Sequence, residues 1–366
     1  MLNRSHSTPR LDDASARAIA ERAAAADRGE TTLHHDLKLL EGCGLNVAPL
    51  PVDAGGHGYG CERHATLHVL DALRDVGRAS LPVARLFEGH VNAVKLVMLY
   101  GTPAQRDRVA ARVREGAWLG VWGADGAPPV ASKDDRLTGT KRFASGLGHV
   151  EVAVVSARLP EGVRLFLVDV NDPARADASS WRVGGMRATL SGTYRFDGLP
   201  ADALGEPDDY MREPFFEGGT WRYCAAHLGG AEALHSETVG LLKRMKRADD
   251  PYQAHRIARS AAALETARLW IESAAMRVEE ADPDDEADAK GAAAYALLAR
   301  QCVQDAALHV LRLSEDALGT IAHSHDTPVE RMRRDLGFFV RQANPDGKLA
   351  HAAAALVARD ALARDL

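Results

Sequence analysis

The sequence has 366 residues, a formal net charge of −6 at pH 7, and 46% hydrophobic and 26% charged residues. These values are typical of a globular protein with two or three domains, and the absence of a basic patch speaks against a nucleic-acid partner. The four cysteines lie far apart and form no CxxC pair, which favours scattered thiols in a reducing compartment.

The chain shows no targeting or membrane pattern. Residues 1–18 contain no apolar core of the kind that a signal peptide needs. No apolar run approaches the length of a membrane span. We therefore predict a cytoplasmic protein without a membrane partner.

Residues 1–115 are predicted to form an N-terminal helical domain. Apolar residues recur every third position in one part of this segment, which indicates a helix. These residues are Leu67, Leu70, Leu73 and Val76, and Gly77 is predicted to end the helix.

Residues 116–210 are predicted to form a central β domain. Short runs rich in β-branched and aromatic residues are separated here by Gly, Pro and Asp turns. Residues 160–162 are predicted to form the turn of a hairpin. Because the strands follow one another without intervening helices, we expect an antiparallel sheet or barrel rather than a Rossmann unit.

Residues 211–366 are predicted to form a C-terminal helical bundle, which makes the fold class α+β. One long helix is expected from about Pro251 to Glu280, and the acidic stretch 279–291 is expected to be a solvated loop. A second helix carries an apolar stripe at spacings of three and four. Its residues are Tyr295, Leu298, Cys302, Ala306, Val310 and Leu313.

Four local patterns occur in a characteristic order. They are GLNVAPLPVDAGGHGYG (44–60), LTGTKRFASGLGHVEVAVVSA (137–157), GGMRATLSGTYRFDGL (184–199) and TPVERMRRDLGFF (327–339). In this order the chain resembles the acyl-CoA dehydrogenase family over about residues 35–342. The resemblance implies an FAD that lies between the β domain and the bundle and needs no Rossmann glycine motif.

The resemblance also implies partners. It predicts an acyl-CoA or related small-molecule substrate, oxidised at its Cα–Cβ bond as in fatty acid metabolism. The electron acceptor would be an electron-transfer flavoprotein or oxygen. A homodimer or homotetramer is expected, with the last long helices at the interface.

The family's flavin-contacting turn, Trp-Ile-Thr, matches Phe143, Ala144 and Ser145. Ser145 keeps the hydroxyl, and Phe143 keeps an aromatic surface without the indole N–H. The family's Thr-Glu-Pro segment corresponds to GVWGADG, where Trp122 and Gly123 are the residues expected to contact the flavin. A tight turn and a Trp that fills the end of the β domain are the alternatives.

The family's diphosphate-binding Arg maps to Arg247, with Arg244 as substitute, since guanidinium suits a diphosphate. The family's Gln-x-x-Gly-Gly maps to DALGT, where Asp316 replaces the Gln and Gly319 matches. The C-terminal signature matches at Arg331, Arg334 and Asp335, which are expected to make structural ion pairs. No metal is predicted, because the HSHD run at 323–326 lacks further ligands at a recognised spacing.

The catalytic base of the family has no match in register. Dehydrogenation of an acyl thioester needs a carboxylate to remove the α-proton. The family's Glu position falls on Ala343, and a second family position falls near Thr220. The nearest carboxylates are Glu217, which we take as the predicted base, and Asp346; Glu213 lies further off.

Three functions follow from this gap. The first is an acyl-CoA dehydrogenase with a displaced base. The second is a flavin-dependent monooxygenase on the same fold, for which no α-base is needed. The third is a non-catalytic subunit that supports a partner dehydrogenase.

Overall fold

The computed structural model describes residues 8–342 and 344–366. Over these residues helices occupy both ends of the chain and strands occupy its middle. The helices are α1 (Asp13–Asp27), α2 (His34–Gly42), α3 (Thr66–Ala79), α4 (Leu81–Tyr100), α5 (Pro103–Arg114), α6 (Trp221–Arg244), α7 (Pro251–Glu280), α8 (Glu286–Leu318), α9 (Pro328–Phe339) and α10 (Pro345–Arg359).

The strands lie between α5 and α6. They are β1 (Leu119–Trp122), β2 (Ala131–Lys133), β3 (Arg136–Thr138), β4 (Thr140–Ala144), β5 (Val152–Leu159), β6 (Gly162–Asp169), β7 (Ala176–Asp177), β8 (Gly192–Arg195), β9 (Leu199–Pro200) and β10 (Asp202–Leu204). The predicted α+β class, with a helical segment on each side of a β segment, is therefore confirmed.

The strands form three open sheets over the described residues, in the orders β1-β5-β6-β10, β2-β3-β9 and β4-β8-β7. The predicted hairpin is present, since β5 and β6 pair antiparallel with Leu159 opposite Gly162. One pair, β1 with β5, is parallel. The antiparallel sheet prediction thus holds for the remaining pairs, and the alternative of a closed barrel is wrong.

Helix α3 crosses α6 at close range. Gly77 lies inside α3, and a Cβ built there would lie 2.4 Å from the carbonyl oxygen of Ala226. The prediction that Gly77 ends the helix is therefore wrong. The glycine lets the two backbones approach, and the chain turns after Ala79, where Pro82 lies in the first turn of α4.

The bundle is built around α6, α7 and α8, and α7 has the predicted bounds. The acidic loop is shorter than expected, because Asp285 already caps α8 by accepting from the N–H groups of Ala287 and Asp288. The apolar stripe of α8 is largely covered within the chain; its Tyr295 ring stacks on Trp270 of α7 at 5.1 Å. The stripe therefore gives no support to an interface, and oligomerisation stays a prediction.

The C-terminal signature joins the parts of the molecule. Arg334 of α9 pairs with Asp27 of α1 at 2.6 Å and with Glu330 at 2.6 Å. Arg331 pairs with Asp335 at 3.5 Å. The predicted structural ion pairs are confirmed. No helix in the described part of the chain combines the length and apolar character needed to cross a membrane.

Candidate active site

A cavity of about 280 Å³ lies between α4, β1, the segment that precedes α6, the start of α6, and α10. Its apolar lining comes from both the helices and the β domain. The apolar residues are Leu96, Leu99, Val121, Tyr210, Phe215, Phe216 and Tyr223, and the polar ones are Glu88, Asn92, Lys95, Thr220, Arg222 and Lys348. Such a mixture of apolar walls and a few polar groups is typical of a small-molecule site.

One face of α4 forms a wall of the cavity. The five α4 residues in the lining fall at spacings of three and four, which places them on one side of a helix. They are Glu88, Asn92, Lys95, Leu96 and Leu99. Three polar side chains on the buried side of an apolar helix are a signal that sequence reasoning overlooked.

Two buried cations share one carboxylate beside this wall. Lys95 and Arg222 are each about 5% exposed, and both bond to Glu279 of α7. Arg222 Nη1 donates to Glu279 Oε1 at 3.1 Å, and Lys95 Nζ donates to Oε2. Burial lowers the pKa of Lys95, although Glu279 opposes that shift. The ammonium also lies 4.4 Å from the centre of the Phe215 ring.

Glu88 is the only carboxylate among the described residues that line the cavity. It accepts hydrogen bonds from Arg85 and from Asn92 Nδ2. Asn92 in turn accepts from Arg222 Nε. Because Glu88 is nearly fully buried and doubly bonded, its carboxylate serves the network rather than offering a free base.

The predicted base, Glu217, faces α10 rather than the cavity lining. Its carboxylate lies 3.0 Å from His351 Nδ1 and 3.5 Å from Lys348 Nζ. Its backbone N–H donates to Glu213, whose pKa is raised by burial. Asp346 is exposed in the first turn of α10. Ala343, the family's base position, lies outside the described residues.

The Phe143–Ser145 turn has an unusual backbone. The β4–β8 ladder shifts register between Lys141 and Ala144, and Phe143 adopts φ +56° with half of its surface exposed. A non-glycine residue in this region often marks a functional site. Ala144 is fully buried, and Ser145 Oγ accepts from Ser191 Oγ at 2.9 Å. Ser145 thus keeps its own proton for a further acceptor.

Phe143 begins a row of aromatic rings on the surface. Its ring centre lies 6.1 Å from that of Trp181, which lies 5.5 Å from that of Phe338, both in edge-to-face geometry. Trp181 belongs to the loop before β8, and its Nε1 donates to Met186 O at 3.0 Å. Trp181 and Phe338 were missed from sequence, because only the fold brings these distant segments together.

Trp122 and Gly123 support this turn from within. The Trp122 ring is buried against Tyr194 at 5.2 Å, and its Nε1 donates to Ser145 O at 3.1 Å. Gly123 O accepts from Lys141 Nζ at 2.7 Å. Because Val121 of the same strand lines the cavity, β1 connects the cavity wall to the turn.

The remaining predicted cofactor residues lie apart from the cavity. Arg247 is exposed just after α6. Asp316 is exposed and accepts from Arg312 Nε at 3.0 Å. Gly319 ends α8 at φ +60°, with open space around the position of a Cβ. Within the described residues, no group of three or more His, Cys, Asp or Glu side chains is arranged to hold a metal ion.

Comparison with known proteins finds a family model and two similar sequences. Residues 210–339 match the family model "Acyl-CoA dehydrogenase, C-terminal domain". The chain is 25% identical over 203 residues to dibenzothiophene monooxygenase from Mycolicibacterium goodii, a match that covers 49% of this chain and about half of that relative (47%). It is 26% identical over 355 residues to 3-sulfinopropanoyl-CoA desulfinase from Paraburkholderia xenovorans strain LB400, covering 88% of this chain and 87% of that relative.

Solved structures give the same fold along nearly the whole chain. FMN-bound TdsC, a dibenzothiophene monooxygenase from Paenibacillus sp. A11-2, has a TM-score of 0.82 at 20% identity, covering 94% of this chain and 96% of that one. Butyryl-CoA dehydrogenase from Megasphaera elsdenii has a TM-score of 0.80 at 18% identity, with the same coverage of 94% and 96%. The chain therefore has the acyl-CoA dehydrogenase fold, and its residues 210–339 match the C-terminal domain of that family.

Proposed function

We propose that the protein is a flavin-dependent monooxygenase that acts on a small organic molecule held in the cavity between α4, α6 and α10. The observation that carries this proposal is the lack of a free carboxylate among the described residues of the cavity lining. Glu88 is tied to Arg85 and Asn92, and Glu217 is tied to His351. Removal of an α-proton needs such a base, whereas oxygen transfer does not.

The turn at Phe143 fits a flavin. A planar ring system can cover an exposed aromatic side chain, and Phe143 with Trp181 and Phe338 offers such a surface. Ser145 offers a hydroxyl donor beside it. When bound and reduced, a flavin supplies the electrons that activate O₂ for insertion of one oxygen atom into the substrate.

The form of the flavin is proposed to be FMN rather than the FAD expected from sequence. FMN lacks the second phosphate and the adenosine of FAD, for which Arg247 was the expected contact of the diphosphate and Asp316 that of the adenosine end. Both are exposed in the chain, and Asp316 is engaged by Arg312. TdsC, with the same fold, has been solved with FMN.

The chain's own residues have three roles in this proposal. Phe143 and Ser145 hold and orient the ring system. The apolar wall, with Leu96, Leu99 and Val121, excludes water from the substrate. The buried cations Lys95 and Arg222 orient polar substrate groups, since charge-assisted hydrogen bonds in a dry site are strong.

Two measurements test the proposal. Titration with FMN and with FAD, followed by flavin fluorescence, should show tighter binding of FMN. Anaerobic mixing with a panel of acyl-CoAs should leave the flavin oxidised, whereas reduced FMN and oxygen should support oxygenation of small aromatic or sulfur-containing compounds. Bleaching of the flavin by an acyl-CoA would instead establish the dehydrogenase, and failure to bind either flavin would favour the supporting subunit.

A further inference from the structure

The cavity lining is rich in positive charge. Lys95, Arg222 and Lys348 line it, against the single carboxylate of Glu88. Glu88 is already bonded to Arg85, so it neutralises a cation outside the lining. Among the described residues, Lys95 and Arg222 form ion pairs with one shared carboxylate, that of Glu279. One carboxylate therefore balances two buried cations.

Lys348 of α10 is the least neutralised of the three. Its side chain is 14% exposed, and its nearest carboxylate oxygen, on Glu217, is 3.5 Å away. Glu217 lies closer to His351, at 3.0 Å. Burial of an ammonium without a close partner is costly, and such a group gains from any anion that enters the site.

In the wider network carboxylates balance the cations, so the excess of positive charge belongs to the cavity lining itself. The cations of this network are Arg85, Lys95, Arg222 and Lys348, and its carboxylates are Glu88, Glu217 and Glu279, with Glu213 as a fourth. Glu213 is half-buried and accepts backbone N–H groups, and burial raises its pKa. Glu213 is not among the residues that line the cavity.

Hydrogen-bond donors are also left over in the cavity. Thr220 lines it, is 4% exposed, and its Oγ1 has no hydrogen-bond partner in the described structure. Lys95 donates to Glu279 and, with three N–H groups, has two more to give. Buried polar groups without partners are rare in folded proteins, and these ones face a space that a ligand can fill.

We propose that the substrate carries an oxyanion, of the carboxylate or sulfinate type, which binds between Lys95, Arg222 and Lys348 and accepts from Thr220. Its hydrocarbon part lies against Leu96, Leu99, Val121 and Phe215 on the apolar side of the cavity. This inference rests on the proposed function only for the reaction that follows, because the binding itself uses side chains of this chain.

The test compares two ligands of similar size, one anionic and one neutral. Benzoate and benzamide are each titrated into the flavin-free protein, and binding is followed by ligand-observed NMR and by calorimetry. Benzoate should bind at least about tenfold more tightly, because charge-assisted hydrogen bonds are stronger than those of a neutral amide. Equal affinities, tighter binding of benzamide, or no saturable binding of benzoate would overturn the inference.

Variants assign the preference to the cavity. Lys348→Gln removes a cation whose ion pair, with Glu217, is long at 3.5 Å, so the variant should fold and lose most of the preference for benzoate. Lys290→Gln removes the same charge from an exposed pair with Glu286 and should keep the wild-type preference. Lys95→Met is the second cavity variant, and Arg222 still compensates Glu279 in it. Wild-type preference in both cavity variants would place the anion elsewhere and contradict the inference.

The outcome is separable from that of the proposed function. Benzoate preference in a protein that binds no flavin would retain the anion site and remove the monooxygenase. Flavin binding and oxygenation of neutral compounds, without a preference for benzoate, would retain the monooxygenase and remove the anion site.

Discussion

Asp335 accepts a hydrogen bond from the backbone N–H of Met186, with 2.6 Å between the carboxylate oxygen and the nitrogen. This bond ties α9 to the loop before β8. Beside it, Gly185 is required, because a Cβ there would lie 2.1 Å from the carbonyl oxygen of Arg334. The loop that also carries Trp181 is therefore fixed to the helical bundle by backbone contact and one buried carboxylate.

Asp335 should make stability depend on pH. Burial raises its pKa to about 6, against the lowering effect of Arg331. Between about pH 4 and pH 6 the folded protein keeps a proton on Asp335 that the unfolded chain has already released. The contribution of Asp335 to the free energy of unfolding is therefore fully present below about pH 4 and is lost as the pH rises to about 6. Asp335→Asn keeps an acceptor for Met186 and removes this dependence.

Denaturant unfolding at pH 4 and at pH 7 measures the effect. From pH 4 to pH 7, the free energy of unfolding of Asp335→Asn should rise by about 2–3 kcal/mol relative to that of wild type. This value follows from a pKa shift of roughly two units at 1.36 kcal/mol per unit. The exposed Asp346→Asn is the control and should show no such change. A difference of the opposite sign would mean that Arg331 outweighs burial.

The close crossing of α3 and α6 gives a second prediction. Gly77→Ala should destabilise the fold by about 2–3 kcal/mol or more, because the added methyl meets the backbone of Ala226, which cannot move aside cheaply. Gly42→Ala, at the end of α2, has open space and should be neutral or stabilising by up to about 1 kcal/mol. Thermal unfolding of both variants is the measurement, and equal melting temperatures would contradict a tight crossing.

The sequence was sufficient for the fold because the helices and strands differ in periodicity and turn chemistry. The hairpin β5–β6 and the bounds of α7 could be predicted from local residues alone. The role of Gly77 could not be predicted in this way, because it depends on Ala226, which lies nearly 150 positions further along the chain. A glycine that ends a helix and one that admits a neighbouring helix look the same in sequence.

The candidate site was predictable only where it resembles its relatives. Phe143 and Ser145 follow from a short motif at one place in the chain. The cation cluster does not follow from any short motif, because its members lie on four different helices. They are Lys95, Arg222, Lys348 and Glu279. The charges on the inner face of α4 were the available signal, and reading them required knowing which face of that helix is buried.

The aromatic row gives a third prediction. Phe143→Ala should weaken FMN binding by about tenfold, since an aromatic contact of this kind is worth about 0.5–1.5 kcal/mol beyond its buried area. Tyr252→Ala removes an aromatic side chain that is more exposed, at the start of α7, and should leave FMN binding unchanged. Flavin fluorescence titration compares them. Equal affinities in the two variants would move the flavin away from Phe143.

The last prediction concerns Glu217 and separates the two enzymatic functions. In the structure its carboxylate is bound to His351 and Lys348, outside the cavity lining. Under the proposed monooxygenase function, Glu217→Gln should leave FMN affinity within about twofold of wild type and should retain oxygenation. It should cost at most about 1 kcal/mol of stability, because the pair is partly exposed to solvent.

If Glu217 were instead the base of a dehydrogenase, the amide could not accept the α-proton, and flavin reduction by an acyl-CoA would fall by about 10²–10⁴. Asp346→Asn, measured beside it, is the matched control, because Asp346 is the other nearby carboxylate and lies on the exposed first turn of α10. Loss of acyl-CoA-dependent reduction in Glu217→Gln alone would restore the dehydrogenase, and loss in Asp346→Asn alone would move its base to α10. Since neither carboxylate is among the residues that line the cavity, we expect neither loss, with oxygenation retained in both variants.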